Sequence, residues 1–209
     1  MRTIITARGG KIVLVPEDDA DREALAMLAA RAAGHAFRLD GFEQHVALSD
    51  LGALADVRGE PLNITSRSPE PLRLISNFAA TPFTLNGHAY ASVEGFWQCL
   101  RFPEGGERRA VAALSGSAAK RAGMVEAPER TDYLGRSIRW GTHEHWGLMR
   151  AAIRAKFDQN EEARRALLST GARILTHRMR NDSRSIPGAL MAQIWMDARD
   201  RQRRRGAKG

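Results

Sequence analysis

A single cysteine in 209 residues, Cys99, rules out an internal disulfide framework, and one thiol supplies no metal-ligand cluster. A reducing compartment suits such a chain, so the cytoplasm is the expected location. No apolar run approaches the ~20 residues that span a bilayer. The opening residues MRTIITARGGKIVLVPEDD lack a continuous apolar core followed by a small-residue cleavage site. Neither secretion nor a membrane span is expected. His143 and His145 stand two apart on a predicted helix and face different sides, unlike the HExxH pairing of a zinc site. No nucleophile elbow supports Ser-His-Asp chemistry, and there is no internal repeat. Neither metal nor cofactor is expected.

What the chain does have is positive charge. A formal net charge of +8 favours polyanionic or phosphorylated partners, because basic surfaces attract phosphates at long range. Part of that charge is a C-terminal run, Arg201, Arg203, Arg204, Arg205 and Lys208. Such a run reads either as a contact for nucleic acid or as a solvated tail that leaves the folded body less basic.

The periodicities predict three regions. Residues 1–70 form a small α/β segment: strands at Thr3 to Thr6 and Lys11 to Val15, a helix from about Asp18 to Ala33, and strands at Phe37 to Leu39 and His45 to Leu48. Leu51 to Val57 fits helix or strand equally well. Thr65 to Pro71, TSRSPEP, reads as a connector. Residues 71–200 form a mainly α, multihelical domain with a small β-hairpin component, and 201–209 are the basic tail. Short helices are expected at Glu107 to Leu114 and Ser117 to Gly123, with Ser115 or Ser117 as a cap, and Ala127 to Arg139 as irregular chain. Thr142 caps a helix whose stripe is Trp146, Met149, Ile153 and Phe157. Asn160 opens another that Gly171 closes, and the last begins near Ser185-Ile186-Pro187.

The stretch Leu74 to Phe102 is the densest in signals. Asn86-Gly87, between Thr84-Leu85 and Ala89-Tyr90, suits a two-residue hairpin turn. Ser92 offers a cap to a helix in which Val93, Phe96, Trp97 and Leu100 recur at helical spacing. Ser76-Asn77-Phe78, Pro82-Phe83, Gly87, Tyr90 and Ser92 to Gln98 (SVEGFWQ), followed by Ala118 to Arg121, Met149 to Asn160 and Leu167 to Gly171, resemble the ordered motifs of the NADAR (YbiA-like) family. The resemblance implies a multihelical fold and N-glycosidase chemistry: hydrolysis of a ribose-to-amine bond in a phosphorylated intermediate of riboflavin biosynthesis or in ADP-ribosylated guanine. A non-catalytic module that binds ADP-ribose or nucleic acid is the alternative. The chain departs from the family before its last helix, where Asn181 to Gly188 replaces a Trp-Gly-Asp-Gly-like loop, and residues 1–70 carry no family motif.

Glu94 lies in the first turn of its helix, where the macrodipole favours an acid whether or not it reacts. At 100° per residue it sits about 60° from Trp97 and aligns with Gln98 and Arg101, at the border of the apolar face. The family match makes it the candidate group for activating water. Lys156 lies on the edge of the Met149 and Ile153 stripe, where a lysine snorkels to water or, if desolvated, becomes a nucleophile. The resemblance implies a catalytic lysine there, open to a Schiff-base route. Lys120, in the AAK motif, is expected to hold phosphate, with a solvated basic face as the equal alternative. Asn77 and Phe78 are read as holding and stacking a base, though Asn77 equally suits a turn. Trp97 reads as core anchor and stacking surface, Gln98 as pocket rim. Asp182, with His177, follows the family's penultimate region toward the same pocket.

Overall fold

The computed structural model describes residues 2–6, 11–32, 35–42, 45–53, 61–179, 183 and 185–206. It divides the chain into two units, Met1–Gly59 and Glu60–Gly209. In the first, β1 (Arg2–Thr6) pairs antiparallel with β2 (Lys11–Val15), setting Ile4 opposite Val13. Helix α1 (Asp19–Ala32) starts where the Asp18 carboxylate accepts the Asp21 N–H at 2.8 Å. Strands β3 (His35–Phe42) and β4 (His45–Ala53) then pair antiparallel, with a shift in register between His35 and Phe37. Of the ambiguous stretch Leu51 to Val57, residues 51–53 belong to β4 and 54–57 lie outside the described residues.

The second unit is mainly helical and its sheets have two strands each. It opens with β5 (Leu62–Asn63), a 3-10 turn at Leu72–Ile75, and the hairpin β6 (Phe83–Leu85) and β7 (His88–Tyr90). Asn86 and Gly87 turn that hairpin at φ of 52° and 80°, the left-handed pair expected of Asn-Gly. Next come α2 (Val93–Cys99), α3 (Gly106–Ala112) and α4 (Gly116–Ala122). The Ser92 hydroxyl accepts the Gly95 N–H at 2.9 Å and donates to the Leu114 carbonyl at 3.0 Å, so one side chain caps α2 and ties it to the end of α3. Of the two expected caps, Ser115 occupies the N-cap position of α4 in extended conformation, but its side chain makes no capping bond.

Two elements differ from the expectation. Ala127 to Arg139 is not irregular throughout; it holds the hairpin β8 (Arg130–Tyr133) and β9 (Arg136–Arg139). Leu134 occupies a left-handed turn beside Gly135, at φ 52° and 71°, a conformation no propensity assigns to leucine. The strand is held because Thr131, Tyr133 and Ile138 are buried, with the Thr131 hydroxyl donating to the Leu100 carbonyl at 2.7 Å. The second difference is β10 (Leu175–Thr176), which pairs parallel with β5, more than a hundred residues earlier.

The remaining helices are α5 (His143–Gln159), α6 (Glu161–Ser169) and α7 (Gly188–Gly206). Thr142 caps α5 through the His145 N–H at 3.4 Å, as expected. Gly171, at φ 57°, follows α6. Phe96, Leu100, Met149, Ile153, Phe157, Leu167, Met191 and Trp195 form the core between α2, α5, α6 and α7. The basic run is not a free tail: α7 continues through residue 206, and Arg201, Gln202 and Arg205 all donate to one oxygen of Asp158 on α5, at 2.7, 2.6 and 2.6 Å. Lys208 lies outside the described residues. Among the described residues no helix is long and apolar enough to cross a membrane.

Candidate active site

Every residue of α2 is buried, although the helix is only two turns long. Close approach explains this. A Cβ on Gly95 would stand 2.3 Å from the Leu114 carbonyl oxygen, and one on Gly123 would stand 2.0 Å from Oε1 of Gln98. Glycine at both positions lets α2 lie directly against the ends of α3 and α4. The polar edge of α2 then faces a cleft of about 560 Å³.

Glu94 stands on that edge, 6% exposed. Its backbone N–H donates to the Asn77 carbonyl at 2.9 Å, which ties the first turn of α2 to the segment after the 3-10 turn. Its Oε1 accepts from Gln98 Nε2 at 2.7 Å and lies 3.9 Å from Lys120 Nζ. Burial pushes the Glu94 carboxyl above the usual carboxylate range, against the opposing pull of Gln98, Lys120 and Arg101. The relay continues: Arg101 Nε donates to Gln98 Oε1 at 3.1 Å, and Arg101 Nη1 donates to the Val125 carbonyl at 2.8 Å. Glu94, Gln98 and Arg101 therefore act as one connected edge, spaced four and three residues apart on a single helix face.

The walls are aromatic and sulfur-rich. Trp97 stacks on His145 at 4.2 Å, and His145 packs on Trp140 at 4.1 Å, with Arg101 lying 5.2 Å over Trp140. His145 is wholly buried, its Nδ1 accepts the Gly141 N–H at 3.1 Å, and burial together with Arg101 pushes its pKa down to about 4. It is a neutral packing element in this wall and not a proton carrier at neutral pH. Opposite lie Phe78 and Asn77, the latter with its Nδ2 3.2 Å from the Met191 sulfur and its Oδ1 buried without a partner. Ser66, His177, Met179 and Ser185 complete the rim, with His177 Nδ1 2.7 Å from the Ile64 carbonyl.

Of the residues expected from sequence, Asn77, Phe78, Glu94, Trp97, Gln98 and Lys120 converge on this one cleft. Lys156 does not line it. Its side chain is fully buried, and Nζ donates to the carbonyls of Ile75 and Ser76 at 3.2 and 2.8 Å, beneath the segment that carries Asn77. The amine does not snorkel to water, and burial brings its pKa down to about 7. Asp182 lies outside the described residues. Arg101, which helical spacing aligns with Glu94, also lines the cleft. Trp140 and His145 carried no signal, because they enter through a hairpin and a helix start that lie far from α2 in sequence. Among the described residues no three His, Cys, Asp or Glu side chains gather as metal ligands would.

The chain is similar to known proteins in sequence and in fold. The chain is 30% identical over 113 residues to N-glycosidase YbiA of Escherichia coli (strain K12), and equally to that of Shigella flexneri. Those matches cover 52% of this chain and 64% of each relative, so the chain spans less than two thirds of their length. The solution NMR structure of the E. coli protein YbiA superposes with a TM-score of 0.54 at 24% identity, covering 71% of this chain and 88% of that one. The family model described as bacteriophage protein GP30.3 matches residues 71–193, more than half of the chain and all but Ser66 of the cleft. The chain therefore belongs to the bacteriophage protein GP30.3 family and is NADAR/YbiA-like in sequence and fold.

Proposed function

We propose that this chain is an N-glycosidase that hydrolyses a ribose-to-amine bond in a phosphorylated nucleoside-like or ADP-ribosylated substrate, with Glu94 as the group that activates water. The observation that carries the reading is a buried carboxylate of raised pKa on the edge of an aromatic cleft, with an exposed ammonium 3.9 Å away. A water placed by Glu94 attacks the anomeric carbon as the C–N bond breaks. Glu94 takes the water's proton and passes it to the departing nitrogen, which keeps the bonding pair, so the carboxylate is regenerated. A carboxylate whose pKa is raised is the better proton acceptor, and a low-dielectric wall strengthens its effect on the positive charge that develops at the sugar. Phe78 and Trp97 offer ring faces to the leaving base, the bare Oδ1 of Asn77 accepts a base N–H, and Lys120 meets phosphate.

Lys156 supports a second route, because an amine with a pKa of about 7 is substantially unprotonated at neutral pH. Exchange of that amine onto the anomeric carbon would release the base and leave a Schiff base for water to clear. Nζ sits behind the Ile75 and Ser76 carbonyls, so this route requires that segment to swing aside, whereas water activated by Glu94 does not. We therefore assign Lys156 first to positioning the Asn77 segment. A borohydride-trapped adduct that disappears in Lys156→Ala would overturn this order.

Product assays on a ribosylaminopyrimidine phosphate and on ADP-ribosylated guanine DNA test the proposal in parallel. Release of free base from one of them, lost in Glu94→Gln, is the expected result, and an unaltered rate in that variant sinks it. Tight ADP-ribose binding with no product from either would mark a non-catalytic module instead. Cytoplasmic location belongs to the same proposal and rests on the lone, buried Cys99.

A further inference from the structure

A second cavity, of about 440 Å³, lies on the other side of α2 from Glu94, between the two hairpins β6–β7 and β8–β9 and helix α3. Its most unusual lining group is Arg108. This side chain is 8% exposed, yet among the described residues no carboxylate pairs with it. Nη1 donates to the Asp132 carbonyl at 2.7 Å, the guanidinium lies 5.9 Å over the Tyr133 ring, and Nη2 is buried with no hydrogen-bond partner. A buried cation with an unused donor is costly unless something supplies the missing acceptor. Arg109 and His88 add basic character at the mouth, where Glu104 is the single carboxylate among the lining residues. The rest of the wall is apolar or aromatic: Tyr90, Tyr133, Ala89, Ala112 and Leu134. Cys99 is also present and takes a hydrogen bond from the Arg108 guanidinium, but burial outweighs that contact and pushes its thiol up to about 11, so the site has no thiolate chemistry to offer and Nη2 remains the donor without a partner.

We propose that this cavity is a binding site for a small organic acid, a single carboxylate on an apolar or aromatic body, with Arg108 as its anchor. The cavity far exceeds a bare inorganic anion, and its ring-lined wall suits a flat apolar body. One anionic head matches one bare guanidinium nitrogen, while Glu104 disfavours a ligand of higher charge. The site is separate from the cleft and does not depend on N-glycosidase activity.

Titration of the full chain with benzoate, followed through backbone amide NMR shifts, tests the inference. Shifts are expected at residues 88–90, 104–109 and 133–134, and benzamide, the uncharged analogue, should bind about tenfold or more weakly, as loss of a hydrogen bond to a charged group predicts. Arg108→Met should abolish the benzoate shifts. Because that change also alters the core, Ala89→Phe provides a second variant: it fills the cavity from an exposed strand position, keeps Arg108, and should also abolish binding. Glu104→Gln should tighten it. Equal binding of benzoate and benzamide, shifts confined to the Glu94 cleft, or undiminished binding in Ala89→Phe would each overturn the proposal.

Discussion

Glu94 holds a position that works against stability, which is the pattern expected of a residue kept for chemistry. Its folded pKa is raised above the ordinary value of 4.5 by burial. Between the ordinary and the folded pKa the native state binds more protons than the unfolded chain, so Glu94 stabilises the fold when protonated. That contribution is present below the ordinary pKa and is lost as pH rises through the folded one. Glu94→Gln should therefore hold or raise the melting temperature at neutral pH while lowering turnover about 100-fold or more; a parallel loss of both would make Glu94 a structural residue. If Glu94 must be ionised to act, the acid limb of the pH–rate profile sits above the usual carboxylate range. Lys156 runs the opposite way. Its folded pKa of about 7 lies below the ordinary 10.5, so the unfolded chain binds more protons between those values and stability rises with pH across that window. Chemical denaturation of Lys156→Met from pH 7 to 10 should lose that slope. A retained slope would place its origin elsewhere.

At the scale of elements, the site depends on how closely α2 approaches its neighbours. Gly95→Ala places a methyl 2.3 Å from the Leu114 carbonyl, a backbone atom that no rotamer change can move away. A loss of about 1–3 kcal/mol of stability is expected, in the range of overpacked cores, together with reduced turnover because α2 carries Glu94. Wild-type stability in a denaturant melt of this variant would mean that α2 is free to shift. The same approach explains what could be read in advance. The β6–β7 turn, the Ser92 cap and the α2 and α5 stripes rest on local chemistry, since Asn-Gly, a serine hydroxyl and apolar spacing each act within a few residues. The β8–β9 hairpin turns on Leu134 in a left-handed conformation, held by the burial of Thr131, Tyr133 and Ile138 and by the Arg130 guanidinium bonding Ser137 across the strands. The β5–β10 pairing spans most of the unit and leaves no local trace. For the site, helical alignment revealed the Glu94 edge, but the Trp140 and His145 wall depends on tertiary packing, and the full burial of Lys156 depends on α5 lying under Ile75 and Ser76. Spacing alone puts that lysine at a stripe's edge and cannot say how deep the edge lies.

For the whole molecule, the cleft draws its lining, among the described residues, from Ser66 to Met191, inside the second unit. A chain of residues 60–209 is therefore expected to unfold in one cooperative transition and to keep the turnover of the full protein; lost activity in a folded truncation would show that residues 1–59 serve the site. The C-terminal end behaves differently from a solvated tail. Arg201, Gln202 and Arg205 share one oxygen of Asp158, so the last turns of α7 are bound to α5, the helix that carries Lys156. Arg201 is about one third exposed at its side chain and Asp158 about one quarter, so each pair is partly screened, and the net effect rests on the three donors acting together. Charges engaged this way are less available to a polyanion than a free basic run; Arg203 lies 3.7 Å from Asp200 in turn, which leaves Arg204 as the exposed cation of that helix end with no carboxylate beside it among the described residues. Ending the chain after Asp200 should lower the melting temperature of the second unit, and Asp158→Asn should reproduce part of the loss while freeing Arg201 and Arg205. If the run instead serves nucleic acid, Asp158→Asn should strengthen binding to single-stranded DNA and steepen its salt dependence. A C-terminal truncation that leaves stability unchanged but removes DNA binding would identify the run as an interaction arm and not a brace of the fold.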